Sequence, residues 1–175
     1  MIYLTSDLHF GHKNIINYCT RPWDNTDDMD RNLIASINSV VGITDTLYIL
    51  GDFTMHGSYT KCMKYREQID CQNVHLILGN HDNRFLEKGK ESPFSSERDY
   101  LELTYNGVLF CLSHYPFISW KNKERGSIMC HGHVHYSSTY NLKSYYQGIK
   151  RYDVGVDANF YKPVLIDRII DFFKY

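Results

Sequence analysis

The residues best suited to chemistry sit in short blocks, each just beyond an apolar run. The densest is Ser127–Tyr136, SIMCHGHVHY, where His131, His133 and His135 alternate with Gly132 and Val134. In an extended segment alternate side chains share a face, so His133 and His135 can project together. Neutral imidazole is the commonest protein ligand for metals near neutral pH. Gly132 removes a side chain where the backbone turns or approaches a neighbour closely. Four further blocks carry donors of the same kind: Asp7-Leu8-His9, Gly51-Asp52, Gly79-Asn80-His81-Asp82 and His114. Singly, each has an ordinary reading. Asp7 can cap a turn, His9 and His12 can lie on a surface loop, and a lone His114 can be structural. Together they form a set of nitrogen and oxygen donors without a thiolate.

These blocks need elements to carry them to one place. Ile2–Thr5, Thr46–Leu50 and Val74–Leu78 are short apolar runs that predict buried strands. Each ends where a donor block begins. Asn106-Gly107 predicts a two-residue hairpin between Tyr100–Thr104 and Val108–Ser113, the second strand ending at His114. Asp27–Val41 has helical apolar spacing and acidic residues in its first turn, where the helix dipole favours them. Lys13–Tyr18 and Thr60–Ile69 predict further helices, and Arg151–Val156 a short strand. Glu87–Asp99 reads as a loop or weak helix, Ser137–Lys150 as a tyrosine-rich loop, and Pro163–Lys174 as a closing helix or strand–helix piece. Strands alternating with helices argue an α/β layered fold. In such sheets ligands bind beyond the strands' carboxyl ends.

In this order the blocks resemble the signature of the calcineurin-like metallophosphoesterases: D-x-H, G-D, G-N-H-[DE], H, G-H-x-H. The match is to Asp7-Leu8-His9, Gly51-Asp52, Gly79-Asn80-His81-Asp82, His114 and Gly132-His133-Val134-His135. The chain looks most like the small bacterial and phage members, whose first block similarly continues as His12-Lys13-Asn14 does here. The resemblance implies two stacked β-sheets flanked by helices, in one domain over residues 1–175. It implies two divalent transition-metal ions, manganese first, with iron, zinc or nickel as alternatives. Asp7, His9 and His135 would hold one ion, Asn80, His114 and His133 the other, and Asp52 would bridge them. A shared water would lose its proton and attack phosphorus in line, with ions ~3.5–4 Å apart clamping the attacking and leaving oxygens. His81 would be catalytic without being a ligand, stabilising the phosphoryl oxygens or protonating the leaving oxygen, help worth roughly 10²–10⁴ in rate. Three residues are candidates for substrate contact or for support behind the ligands: His12, Arg21 and Asp82. Arg21 also reads as an ordinary surface arginine, and Asp82 as a loop or cap residue. Asp153 and Asp157 can hydrogen-bond a ligating histidine from outside or cap strands. His56 and His75 read as structural, and His131 is unassigned.

Composition bounds the partners. The net charge is −1, so no global field draws nucleic acid or membrane. The lack of a basic stripe weighs against long nucleic acid and leaves short oligonucleotides and cyclic nucleotides open. No apolar stretch is long enough to span a bilayer. The five cysteines are scattered, with no C-x-x-C, which suits reduced thiols and a cytoplasmic location. The expected activity is hydrolysis of a small phosphodiester or nucleotide. Phosphomonoester hydrolysis and nuclease action are the alternatives, and a non-catalytic protein-binding scaffold is the reading from another class.

Overall fold

In the computed structural model, which describes residues 1–55, 58–82 and 91–174, two sheets lie face to face with helices outside them. The first sheet is built from β1 (Ile2–Thr5), β2 (Thr46–Leu50), β3 (Asn73–Ile77), β4 (Ser96–Arg98) and β9 (Val164–Leu165), in the order β4-β3-β2-β1-β9. Its first four strands are parallel, and β9 closes the edge antiparallel to β1. The second sheet has β5 (Tyr100–Tyr105), β6 (Val108–Ser113), β7 (Ile128–His131) and β8 (Arg151–Asp153), in sequence order. The β5–β6 hairpin is antiparallel, while β6, β7 and β8 run parallel.

The strands read as unbroken apolar runs because both of their faces are covered. In β2, Leu47 and Ile49 face one core cluster while Tyr48 and Leu50 face the other. The first cluster packs the sheet against α1 (Lys13–Tyr18), α2 (Thr26–Val40) and α3 (Tyr59–Arg66), through Ile15, Leu33, Ile37 and Tyr65 among others. The second joins the two sheets: Leu4, Leu50 and Ile77 meet Phe110, Leu112, Ile128 and Cys130. Removing such a side chain from water stabilises the fold by about 1.5–3 kcal/mol. Asn25 caps α2 by accepting from the amide of Asp28. The closing segment is β9 running directly into α5 (Ile166–Phe172).

Two expectations are corrected. Ser137–Lys150 is not a loop throughout: it contains α4 (Thr139–Tyr146). Its apolar spacing is poor because the buried positions are polar: Asn141 exchanges hydrogen bonds with the backbone of Asp153 at 2.7 and 3.0 Å. Within Glu87–Asp99, residues 96–98 form the edge strand β4. Residues 87–90, and His56, lie outside the described residues. His75 is structural: it lies 2.8 Å from the Ser96 hydroxyl and stacks on Tyr48.

Two glycines just past strand ends are fixed by close approach. A Cβ on Gly51 would sit 2.3 Å from Nδ1 of His114 and 2.8 Å from the Gly79 Cα, at a φ of +91°. A Cβ on Gly132 would sit 1.9 Å from the Ser6 hydroxyl and 2.5 Å from an Asp7 oxygen. Gly107, in the hairpin, has φ +77° but open space around it. Gly51→Ala is therefore expected to lose at least about 3 kcal/mol by combined strain and overpacking. Gly107→Ala is expected to lose only about 1–2 kcal/mol. Urea unfolding of the two variants beside wild type checks the contrast; equal losses would refute it.

Candidate metal centre

Because β1, β2, β3, β6, β7 and β8 share one direction within their sheets, their carboxyl ends open at a common edge. Past those ends the loops are stitched together by backbone bonds. Asp7 donates to the Gly51 carbonyl, His9 to that of Asp52, Gly132 to that of His114, and Val156 to that of Ser6, all at 2.9–3.1 Å. Five residues there have left-handed backbone: Asp7 (φ 59°), His9 (51°), Asp52 (54°), His133 (73°) and His135 (50°). Such a conformation is uncommon in residues with a side chain and persists only where surrounding structure imposes it.

The strained loops bring the donor atoms together. Nε2 of His9 lies 3.2 Å from Nε2 of His135 and 3.4 Å from Oδ2 of Asp52. Nε2 of His135 is 3.8 Å from Oδ1 of Asp7. Asp7, His9, Asp52 and His135 thus each offer an atom within 4.8 Å of the others, a spacing that one cation can span. Beside them, Nε2 of His114 lies 3.0 Å from Oδ1 of Asn80, 3.2 Å from Nδ1 of His133 and 3.5 Å from Oδ2 of Asp52. Asp52 reaches both groups.

Tautomers decide what this arrangement can hold. Nδ1 of His114 lies 2.8 Å from the Leu50 carbonyl, which can only accept, so Nδ1 carries the proton. Burial lowers the pKa of this ring, as it does for His9 and His133, so all three are neutral at pH 7. The Nε2 lone pair of His114 therefore points at a carboxylate and a side-chain amide oxygen. Lone pairs crowded on lone pairs need a cation between them. His135 behaves as such a field predicts. Burial opposes its charge, yet the bond to Asp157 and the neighbouring Cys19 and Asp7 raise its pKa to about 10. The donor set, imidazole nitrogens with carboxylate and amide oxygens, fits divalent transition metals.

Behind these groups lies a supporting layer. Nδ1 of His135 donates to Oδ2 of Asp157 at 2.8 Å. Arg21 is neither a surface arginine nor open to phosphate: it is buried at 4% exposure. It forms two bonds to Asp157 at 2.9 and 3.0 Å and donates to the carbonyls of Asp7 and Leu8. Asp82 accepts from the amides of Gly79, Asp52 and Phe53 at 2.7–3.0 Å, so it holds the loops. The amide of His81 donates to Oδ1 of Asp52 at 3.0 Å, and its ring lies 5.3 Å from that of His9. Nδ1 of His12 is 3.4 Å from Nδ1 of His9, on the side away from Asp52. His131 is fully buried on the Gly132 carbonyl and does not reach the cluster.

The family model of the calcineurin-like phosphoesterases matches residues 1–164. The chain belongs to this family. As a calcineurin-like phosphoesterase it is a metal-dependent phosphoester hydrolase, and the two-sheet α/β architecture is that of the family. An uncharacterised protein of Methanocaldococcus jannaschii is 37% identical over 171 residues, covering 97% of this chain and 89% of its own length. The Gene 66 protein of Mycobacterium phage D29 is 27% identical over 189 residues, covering 90% and 88%. The crystal structure of a protein of unknown function from Aquifex aeolicus matches with a TM-score of 0.76 at 28% identity, over 98% of both chains. Among the described residues, no helix is long and apolar enough to cross a membrane.

Two neighbours of the calcineurin-like centre carried no sequence signal. Cys19, at the end of α1, lies with His135 and Asp157 in a second group whose ligating atoms fall within 4.8 Å. Tyr115, next to His114, sets its ring 5.0 Å from His114 and 4.8 Å from His133. Asp157 yields the prediction here. Burial opposes its charge, but the bonds from His135 and Arg21 outweigh this and hold its pKa below the usual carboxylate range. A depressed carboxylate adds stability above its unfolded pKa and loses it as pH falls through the folded value. Asp157→Asn should therefore cost about 3 kcal/mol at pH 7, since it leaves Arg21 buried without its partner charge. The difference from wild type should shrink below about pH 4, as protonation removes the same charge. Urea unfolding across that range measures both; a pH-independent difference would refute the assignment.

Proposed function

We propose that this phosphoesterase is a phosphodiesterase acting on a nucleotide or another small phosphodiester at a two-metal centre. The observation that carries the reading is the pair of adjoining donor groups sharing Asp52, with Nε2 of His114 bare and facing the oxygens of Asn80 and Asp52. One ion would sit on Asp7, His9 and His135, the other on Asn80, His114 and His133, with Asp52 between them. Manganese is the first candidate, and iron, zinc or nickel suit the same donors. When bound, the ions supply positive charge that polarises the phosphoryl group and activates water.

The chain's own residues do the rest. Asp157 fixes the His135 ring by holding its Nδ1 proton, and the Leu50 carbonyl does the same for His114. Arg21 holds Asp157 and the Asp7 and Leu8 carbonyls in one place, which fixes the first loop to the last. His81 stands beside Asp52, positioned to donate a hydrogen bond to phosphoryl oxygen or a proton to the leaving oxygen. Asp82 keeps the His81 loop on the Asp52 loop. Tyr115 offers a half-exposed ring against which an ester's second substituent can pack. Monoester hydrolysis remains the alternative chemistry of the same centre. The half-exposed ring of Tyr115 beside it favours a substrate with a second organic arm.

Protein purified without chelator is expected to carry about two transition-metal ions per chain. Elemental analysis should show less metal in Asp52→Asn. His81→Ala should keep the metal while kcat falls roughly 10²–10⁴-fold. Wild type should prefer bis-p-nitrophenyl phosphate to p-nitrophenyl phosphate, with activity lost to chelator. One ion or none would overturn the two-metal reading. A monoester preference would overturn the diesterase reading, and full activity in His81→Ala would overturn its catalytic role.

A further inference from the structure

A cleft of about 640 Å³ is lined by residues of β1, α2, α4, α5 and the edge strands β8 and β9. None of its lining residues belongs to the donor clusters or to the residues that bond to them, so it is a separate feature of the surface. Its walls include four aromatic rings, those of Tyr3, Tyr152, Phe160 and Phe172. Lys162 and Arg168 are its charged residues, and both are exposed. Among the described residues neither forms an ion pair, and no carboxylate lines the cleft. For a chain with 20 acidic and 19 basic residues, that is a local excess of positive charge.

The backbone at its rim is unusual. Phe160 and Tyr161 are consecutive and both left-handed, with φ of 54° and 60°. Bulky residues rarely adopt this conformation, and still more rarely in tandem. Tyr161 is anchored: its amide donates to the Val156 carbonyl, its carbonyl accepts from Ser36, and its ring packs 4.7 Å from that of Trp23. Phe160 is turned outward by the same geometry and is 78% exposed at the edge of the cleft. A large ring held in solvent by a strained backbone has lost the apolar burial that would normally compensate it.

The volume lies in the range of small-molecule sites. Aromatic faces stack on flat rings, and an unpaired guanidinium is the side chain best matched to phosphate. We propose that this cleft is a second binding site, for an aromatic phosphate of mononucleotide size. The ring would stack on the aromatic wall while Arg168 and Lys162 take the phosphate. The inference is independent of which phosphoester the metal centre cleaves.

The test is fluorescence anisotropy with N-methylanthraniloyl-AMP in buffer containing chelator, so that the probe is neither hydrolysed nor drawn to bound metal. Wild type should bind saturably. The double variant Arg168→Gln/Lys162→Gln and the single variant Phe160→Ala should each bind roughly tenfold more weakly or worse. Both should retain wild-type hydrolysis of bis-p-nitrophenyl phosphate when metal is supplied. Asp52→Asn should bind the probe as wild type does. Absence of saturable binding at millimolar probe would overturn the proposal. So would equal binding by wild type and the cleft variants, or loss of binding in Asp52→Asn, which would place the probe at the metal centre.

Discussion

Lone pairs directed at lone pairs are the constraint on which the rest of this structure depends. The bare Nε2 of His114, the ring of His9, the Asn80 amide oxygen and the carboxylates of Asp7 and Asp52 converge. In water each would be solvated, and drawing them together costs free energy that only a cation returns. The fold must hold them against that repulsion. Left-handed backbone at Asp7, His9, Asp52, His133 and His135 shows how it does so: each loop is bent hard and then tied to the next by main-chain bonds.

Those ties need rigid anchors, which the apolar layers provide. The inter-sheet cluster fixes β1, β2 and β3 against β6 and β7, and the outer cluster fixes the first sheet against three helices. Strand ends held by such packing move little, so the donors are placed before any ion arrives. The buried Arg21–Asp157 pair extends the same logic to the last loop. It is costly to bury, and it orients one imidazole while joining residues 7–8, 21 and 157.

The sequence made the fold class and the donor blocks readable because both leave strong local marks. An apolar run ending in Gly-Asp or Gly-Asn-His says little alone, but five such ends in one order name a family. Arg21 was harder. Its surroundings, Thr20 and Pro22, read as a surface turn, and nothing local announces that Asp157 arrives from 136 residues away. The α4 helix was hidden for a related reason. Its buried face is made of Asn141 and Ser144, the first held inside by the backbone of β8, so its periodicity carries no apolar signal. Cys19 reaches the centre only through tertiary folding, and although Tyr115 follows His114 directly, a single ring in a sequence does not say which way it faces.

The donors come from the ends of strands in both sheets, and no single sheet holds a complete set. Sequence-local pieces such as Asp7-Leu8-His9 or the β5–β6 hairpin can form early, but they present at most two of the groups. The centre therefore exists only where one sheet has closed on the other, through contacts between strands far apart in the sequence. An ion bound there spans that closure. Because it binds the closed chain and not its parts, its affinity is added to the free energy of docking. A molecule with an ion on these donors would part its sheets more slowly than an empty one, so the same cluster would double as the latch of the sandwich.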